Sequence, residues 1–333
     1  MTAQTNASRT EPPFPTAPYH ADVAQGPETW ESYWLTADDG IRIRAGIWRD
    51  PAMIGETPKG TIFILPGRTE AVEKYARGAA VLGELGYASL AIDWRGQGLA
   101  DRLLDDPTIG HVERFSDYQR DLAAVIDMAK RLDLPKPWGM IAHSMGGAIG
   151  LRALMGDHPF EAATFSAPMW GIGLSPTQKL LTRVVAPVLK AAGFANRHAP
   201  GTNGKPYYQV QPFEGNTLTS DAEMYAYMRR QVEAEPRLGL GGPSSHWVLV
   251  ATAENAAAAR LPSPDIPALC FLGTDEAIVD SEAVRDRMSR WPNGTLISVP
   301  KGRHEIPMEL PPIRAEFYAR AAALLDEVRM PMT

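Results

Sequence analysis

The chain has 333 residues, of which 44% are hydrophobic and 22% charged, so it has the composition of an ordinary globular protein with a substantial core. Its formal net charge is -6 and no basic run stands out, which argues against a nucleic-acid partner. The single cysteine, Cys270, excludes an internal disulfide and a zinc site built from several thiols.

The N-terminal stretch, residues 1–29, is rich in Pro, Thr and Ala and is interpreted as a loosely attached tail. It has neither the basic nor the apolar segment of a secretory signal, and no window of the chain forms an apolar span of membrane length. These features predict a cytoplasmic protein without a transmembrane segment. The oligomeric state and a transient contact with a membrane surface are left open.

From residue 30 onward the hydrophobic pattern alternates between strands and helices. Two alternating runs joined by Asp-Asp-Gly, within residues 33–48, indicate a β-hairpin. The elements predicted next are strands 60–65, 87–92, 140–142 and 162–165, and helices 73–85, 116–132 and 148–155. Wholly apolar strands between helices are typical of an α/β fold with a mostly parallel central sheet flanked by helices.

This alternation stops at residue 170. Residues 171–261 contain successive helical patterns without a strand, and they are predicted to form a helical cap inserted after strand six. The pattern then resumes with strand 268–272, helix 281–291, strand 295–299 and a terminal helix over 312–328. The expected organisation is a tail (1–29), a first core part (30–170), the cap (171–261) and a second core part (262–333).

A serine lies where the strand ending at Ala142 turns into a helix. The run from His143 to Gly147 has the small residues of a nucleophile elbow, a strained turn that presents a serine hydroxyl. Ala142 replaces the first glycine of the usual Gly-x-Ser-x-Gly pattern. The alternative is a junction whose serine only caps the helix. An acid and a histidine follow in the order that a triad requires, so Ser144 is predicted to be the nucleophile.

The other two triad members are expected in loops after later strands. His304 follows the last predicted strand and is the candidate general base. The turn after Leu272 offers Asp275, Glu276 and Asp280 as the acid. Asp280 directly precedes a helix and is better explained as its cap. Spacing alone does not decide between Asp275 and Glu276.

Hydrolysis of an acyl bond places negative charge on the carbonyl oxygen, which preorganised backbone N–H groups must meet. The expected donors are the amide of Met145, at the start of a helix, and the amide of Arg68, in the loop after strand 60–65. Neither a cofactor motif nor a metal motif is matched, because residues 93–98, 201–205 and 304–305 lack the required spacings.

The cap segment carries an apolar stripe within residues 180–189. Most such stripes pack a helix onto its own domain. The functional alternative is that the cap covers the serine and, with Met169, Trp170 and Trp247, lines an apolar acyl pocket.

From residue 30 to the end, the chain resembles the α/β-hydrolase superfamily, in particular its monoacylglycerol lipase and bacterial lysophospholipase branch. The resemblance rests on five stretches, which are specific in combination and weak singly: residues 68–75, 93–98, 110–112, 143–147 and 213–221. In that family the triad acid stands three residues after the glycine that ends its strand. Counting from Gly273, the resemblance favours Glu276, although most relatives use aspartate.

The resemblance implies a serine hydrolase that cleaves single-chain lipid esters, lysophospholipids or monoacylglycerols, through an acyl-enzyme and without a cofactor. Pro66, where many members carry histidine, and Ala142 are departures that could alter the oxyanion hole. Two alternatives remain: a small-molecule carboxylesterase or thioesterase, and a non-catalytic ligand-binding protein on the same scaffold.

Overall fold

The computed structural model describes residues 13–49, 57–173 and 194–329. Its strands are β1 (Glu31–Thr36), β2 (Arg42–Trp48), β3 (Thr61–Leu65), β4 (Ala88–Asp93), β5 (Trp138–His143), β6 (Ala162–Ser166), β7 (Ala268–Gly273) and β8 (Gly294–Val299). Its helices are α1 (Ala21–Ala24), α2 (Ala76–Glu84), α3 (Asp117–Arg131), α4 (Met145–Leu154), α5 (Tyr207–Val210), α6 (Ala222–Ala234), α7 (Ser245–Ala259), α8 (Ser281–Ser289) and α9 (Pro311–Arg329). Short 3-10 helices lie at Val72–Tyr75, Pro236–Leu238 and Ile306–Met308.

The strands form one 8-stranded sheet in the order β1-β2-β4-β3-β5-β6-β7-β8. The pairs β1–β2 and β2–β4 are antiparallel, and every other neighbouring pair is parallel. The predicted hairpin and the mostly parallel sheet flanked by helices are therefore confirmed. Since parallel strands end at the same edge of a sheet, the loops after β3, β5, β7 and β8 meet there.

Side chains of the central strands are buried on both faces of the sheet. In β3, Phe63 and Leu65 belong to the apolar cluster that contains residues of α3 and α4, whereas Ile62 and Ile64 belong to the cluster that contains residues of α2 and α9. Successive side chains of a strand point to opposite faces. This explains why the strand is apolar throughout.

The described part of the N-terminal segment packs against the edge of the sheet. Thr16 forms an isolated bridge with Tyr33, and the carbonyl of Pro15 accepts a hydrogen bond from the amide of Trp34 at 2.8 Å. The carbonyl of Pro18 accepts from Nη1 of a buried arginine of β2, also at 2.8 Å. Composition did not reveal these contacts because the N-terminal segment makes them with its main chain.

Between β6 and β7 the described residues contain α5, α6 and α7 and no strand of the sheet. Isolated bridges join this segment to the core at Gly110–Pro243 and Ile172–Val279. The apolar stripe within residues 180–189 lies outside the described residues. The division of the chain into tail, core and cap stays a prediction.

Candidate active site

Ser144 lies in a strained turn between β5 and α4. Its φ of 49° and ψ of -116° fall in a region that residues with a side chain rarely adopt. The turn also needs a close approach behind the serine, since a Cβ on Gly146 would lie 2.0 Å from the carbonyl oxygen of Leu65. Strain and close packing of this kind present a serine hydroxyl above the edge of the sheet.

His304 contacts two other polar side chains at once. Its Nε2 lies 2.9 Å from Oγ of Ser144, and its Nδ1 lies 2.8 Å from Oε2 of Glu276. A neutral imidazole with its proton on Nδ1 donates to Glu276 and accepts the hydroxyl proton of Ser144. The structure therefore brings together Ser144 and His304, which were predicted from their order in the chain, and Glu276, which the family resemblance favoured.

The carboxylate of Glu276 is held by its own turn. Its Oε1 accepts hydrogen bonds from the amides of Ile278 at 2.6 Å and Val279 at 3.0 Å. The Glu276 side chain folds back onto these amides, and this accommodates the extra methylene that glutamate has relative to aspartate. Burial alone would raise the pKa of Glu276, but His304 and the two amides outweigh it and hold the pKa below its ordinary value. The group therefore stays an anion that can orient the imidazole.

The other two candidate acids, Asp275 and Asp280, have other hydrogen-bond partners. Asp275 is exposed, and the hydroxyl of Thr274 donates to it at 3.3 Å. Asp280 accepts a hydrogen bond from the amide of Ala283 at 3.3 Å and is the N-cap of α8, as expected from its position.

The loop after β3 lies against the serine, because a Cβ on Gly67 would be 3.1 Å from Cβ of Ser144. Side chains from the following segments hold this loop in place. Trp94 donates from Nε1 to the carbonyl of Pro66 at 2.9 Å, and Gln97 donates from Nε2 to the carbonyl of Gly67 at 2.8 Å. The loop therefore does not depend on a histidine at position 66 for its support.

The amides of Arg68 and Met145 flank this junction. Neither donates a hydrogen bond to another group among the described residues. Met145 is the first residue of α4, where the helix dipole favours negative charge. Both amides are free to bind an oxyanion, and their role as the oxyanion hole stays a prediction.

The three predicted pocket residues are all largely buried, and each has a hydrogen-bond partner. The amide of Met169 donates to the carbonyl of Ser144 at 2.8 Å, and Nε1 of Trp170 donates to the carbonyl of Gly147 at 3.0 Å. Trp170 also stacks on Trp291, as a core residue does. The indole of Trp247 donates to the hydroxyl of Tyr118 at 3.1 Å. Their part in an acyl pocket stays a prediction.

A buried cluster of charges lies beside the triad and was not foreseen as a unit. The ammonium of Lys74 bonds Oε1 of Glu70 at 2.6 Å and Oε2 of Glu305 at 2.5 Å. Nε2 of His143 lies 3.4 Å and 3.3 Å from the same two oxygens, and its ring centre lies 4.7 Å from that of His304. This charge cluster, Glu70, Lys74, His143 and Glu305, contacts the triad through the two histidine rings.

In the charge cluster, attraction between opposite charges shifts the pKa values more than burial does. Burial by itself would lower the pKa of Lys74 and of His143, yet the carboxylates of Glu305 and Glu70 raise both pKa values. Burial would likewise raise the pKa of Glu305, but Lys74 and His143 hold it well below its usual value. Lys74 and Glu305 are therefore charged at neutral pH, and the protonated form of His143 is favoured.

The charge cluster also joins two functional loops. Glu70 accepts a hydrogen bond at Oε2 from the amide of Gly67, 2.6 Å away, in the loop that lies against Ser144. Glu305 directly follows His304. The i,i+4 spacing of Glu70 and Lys74 next to an apolar strand is the signal in the sequence that could have indicated a buried ion pair.

Glu70, His143 and Glu305 could each offer one metal ligand, since their ligand atoms lie within 4.8 Å of one another. Lys74, however, bonds both carboxylates directly, and its ammonium already compensates their charge. A lysine between two carboxylates is incompatible with a cation at the same point. We therefore treat the cluster as a structural support of the site.

Replacing Lys74 with methionine is expected to lower the free energy of unfolding by about 3–5 kcal/mol, because two buried carboxylates lose their cation. Urea unfolding at neutral pH, followed by circular dichroism, measures the loss. The folded-state pKa of Glu305 is depressed, so its ionised form stabilises the fold above its ordinary pKa of 4.5. This stabilisation is lost as the pH falls through the folded-state pKa, and the difference between the two proteins should shrink over the same range.

Lys59→Met is the matched control, because Lys59 is exposed and lies 3.9 Å from its carboxylate partner. Its loss should be below about 1 kcal/mol. Equal losses for the two variants would contradict the structural role of Lys74.

Comparison with known proteins places the chain among hydrolases. The family model described as "Serine aminopeptidase, S33" matches residues 56–311. Lysophospholipase L2 of Escherichia coli strain K12 is 35% identical over 226 residues, which are 66% of this chain and 64% of that protein, so the match spans less than two thirds of the relative's length. The probable lysophospholipase L2 of Haemophilus influenzae is 29% identical over 255 residues, 76% of this chain and 79% of that protein.

Among solved structures, a soluble variant of monoglyceride lipase from Saccharomyces cerevisiae, in complex with a substrate analog, shares the fold with a TM-score of 0.70. The alignment is 20% identical and covers 93% of this chain and 99% of the yeast chain. Within the described residues, no helix has the length and apolar character needed to cross a membrane.

Proposed function

Because the chain belongs to the serine aminopeptidase S33 family of the α/β-hydrolase superfamily, we propose that it is a serine hydrolase that cleaves carboxylic esters through an acyl-enzyme. The observation that carries the proposal is the continuous hydrogen-bond path from Ser144 through His304 to Glu276, at 2.9 Å and 2.8 Å. An activated serine needs a base in contact and an anion that holds the base, and both are present.

The first half of the reaction forms the acyl-enzyme. Oγ of Ser144 attacks the ester carbonyl while Nε2 of His304 takes the hydroxyl proton, and Glu276 stabilises the imidazolium that results. The carbonyl oxygen becomes an anion facing the amides of Arg68 and Met145. When the intermediate collapses, the C–O bond of the ester breaks and His304 returns the proton to the leaving alcohol.

The second half releases the acid. A water molecule gives a proton to Nε2 of His304 and attacks the acyl carbon, so that the same oxyanion forms again. Collapse breaks the bond to Oγ of Ser144, which recovers the proton from His304. The free carboxylic acid leaves, and no cofactor takes part in either half.

For the substrate, we propose a single-chain lipid ester, a lysophospholipid or a monoacylglycerol. The support is the activity for which the related proteins, lysophospholipase L2 and monoglyceride lipase, are named. The location in the cytoplasm, expected from the sequence, stays a prediction.

A substrate panel tests both the proposed reaction, ester hydrolysis, and the proposed substrate, a single-chain lipid ester. The purified protein is expected to hydrolyse palmitoyl lysophosphatidylcholine or monopalmitoylglycerol faster than p-nitrophenyl acetate, palmitoyl-coenzyme A or an aminoacyl p-nitroanilide, measured as kcat/KM. A preference for the acetate or the thioester would place it among small-molecule carboxylesterases or thioesterases. A preference for the anilide would make it a peptidase.

A fluorophosphonate probe provides the control for a non-catalytic scaffold. The probe should label one residue, Ser144, because only a serine with a base in contact is nucleophilic enough to react. A protein that takes up no label and hydrolyses none of the panel would be a binding protein on a hydrolase fold.

A further inference from the structure

The side chain of Arg68 extends from the predicted oxyanion loop toward the segment between β6 and β7. Its Nη1 donates to the carbonyl of Gly241 at 2.8 Å, and the guanidinium carbon lies 5.8 Å from the centre of the Trp247 ring. A Cβ on Gly110 would lie 3.0 Å from the same Nη1. The guanidinium is thus held between a carbonyl, an aromatic ring and the main chain.

No carboxylate among the described residues forms an ion pair with Arg68. The stretch 174–193, which the structure does not describe, contains neither Asp nor Glu. By contrast, the buried guanidinium of Arg44 bonds Glu73 and Asp93, and that of Arg95 bonds Asp39 and Asp121. Arg68 therefore differs from these arginines in having a backbone carbonyl as its acceptor and no anion.

Burial lowers the pKa of Arg68 to about 10, so the guanidinium remains charged at neutral pH. A charge that is removed from water without a counter-charge is costly. Nε and Nη2 of Arg68 donate to no group among the described residues, and the residue is partly exposed. These N–H groups remain accessible to a bound molecule.

We propose that the guanidinium of Arg68 binds the phosphodiester of a lysophospholipid substrate and so selects this lipid over a neutral monoacylglycerol. This inference rests on the proposed function. A guanidinium presents its N–H groups in a planar fork that matches two phosphate oxygens. The bound phosphodiester supplies the anion that Arg68 lacks among the described residues.

The length of the link between the ester carbonyl and the phosphodiester of the substrate fits this assignment. In a lysophospholipid, the three carbons of glycerol and one oxygen at each end separate the scissile carbonyl from the phosphorus. In Arg68, the side chain likewise separates the amide that faces the oxyanion from the guanidinium. One residue can therefore bind the carbonyl oxygen with its main chain and the phosphodiester with its side chain.

The test compares kcat/KM for palmitoyl lysophosphatidylcholine and monopalmitoylglycerol in the wild type, Arg68→Gln and Arg68→Lys. Because a hydrogen bond to a charged group contributes about 1.5–3 kcal/mol, Arg68→Gln should lose roughly tenfold to a hundredfold on the lysophospholipid. Monoacylglycerol carries no phosphodiester, so its hydrolysis reports any effect of the substitution on the oxyanion loop, and the ratio of the kcat/KM values for the two lipids should fall. Arg68→Lys should recover part of the selectivity, because it restores the charge without the planar fork.

Arg114→Gln is the matched control, because Arg114 is exposed and pairs with Asp117 at 3.1 Å. Its substitution changes the net charge by the same amount as Arg68→Gln. Its selectivity should equal that of the wild type. A loss in Arg68→Gln that is the same for both lipids, or no loss for either, would overturn the proposal and leave Arg68 a structural contact. A wild type that hydrolyses neither lipid would overturn the proposed function itself.

Two measurements on the wild type keep the inference testable if Arg68→Gln does not fold. An ether analogue of lysophosphatidylcholine, which cannot be hydrolysed, should inhibit at least tenfold more strongly than the matching ether analogue of monoacylglycerol. Equal inhibition would overturn the proposal. Inorganic phosphate should not compete with monopalmitoylglycerol at low millimolar concentration, and strong competition by it would assign the guanidinium to free phosphate instead.

Discussion

Replacing Ser144 with alanine is expected to lower kcat for ester hydrolysis by about 10⁶-fold, because no hydroxyl remains to form the acyl-enzyme. The backbone should tolerate the change, since alanine adopts the φ of 49° no less readily than serine does. Steady-state assays with high protein concentration, on the best ester of the panel, measure the residual rate. Thermal unfolding of the variant should match that of the wild type.

Ser166→Ala is the matched control for this prediction. Ser166 is also buried at the end of a strand, and its hydroxyl lies 3.2 Å from Nδ1 of His143, outside the path from Ser144 to Glu276. It should keep most of the activity. Full turnover in Ser144→Ala would mean that another group is the nucleophile, and the assignment of the site would be wrong.

Replacing Glu276 with glutamine is expected to lower kcat by about 10⁴-fold while leaving the fold intact. The amide keeps the shape of the carboxylate, but it neither stabilises an imidazolium nor enforces a proton on Nδ1 of His304. Substrate binding does not involve this group, so KM should change little. Measuring kcat and KM separately, with the ester used for Ser144→Ala, checks both expectations.

Asp275→Asn and Glu276→Asp complete this experiment. Asp275 is exposed, and its replacement should change kcat less than about twofold. Glu276→Asp keeps the charge and should retain far more activity than the glutamine variant. If Asp275→Asn lost the activity and Glu276→Gln did not, Asp275 would be the triad acid.

Residue order in the sequence was enough to predict that Ser144 and His304 meet. Spacing could not separate Glu276 from Asp275, because the direction of a side chain in a turn depends on the backbone conformation and on nearby amides. Here the amides of Ile278 and Val279 hold Glu276 inward, while Asp275 faces solvent. The resemblance to a family favoured the residue that the structure places beside the imidazole.

The charge cluster was beyond what local patterns could predict. Lys74 and Glu305 are 231 positions apart, and the sequence gives no direct sign that two such charges are buried together. Arg68, which has no carboxylate partner among the described residues, is a similar case, because the partners of a side chain become known only from the structure. The apolar strands, whose character repeats over neighbouring residues, were in contrast predicted correctly.

The position of β8 at the edge of the sheet makes catalytic activity sensitive to local unfolding. β8 lies at an edge of the sheet and pairs only with β7, and the loop that follows it carries His304. Edge elements open at a lower free-energy cost than the centre of a sheet. Local opening of this edge would remove His304, the proton acceptor, while Ser144 stays in place. Catalysis therefore depends on a strand that pairs on one side only, and activity should be lost before the whole molecule unfolds.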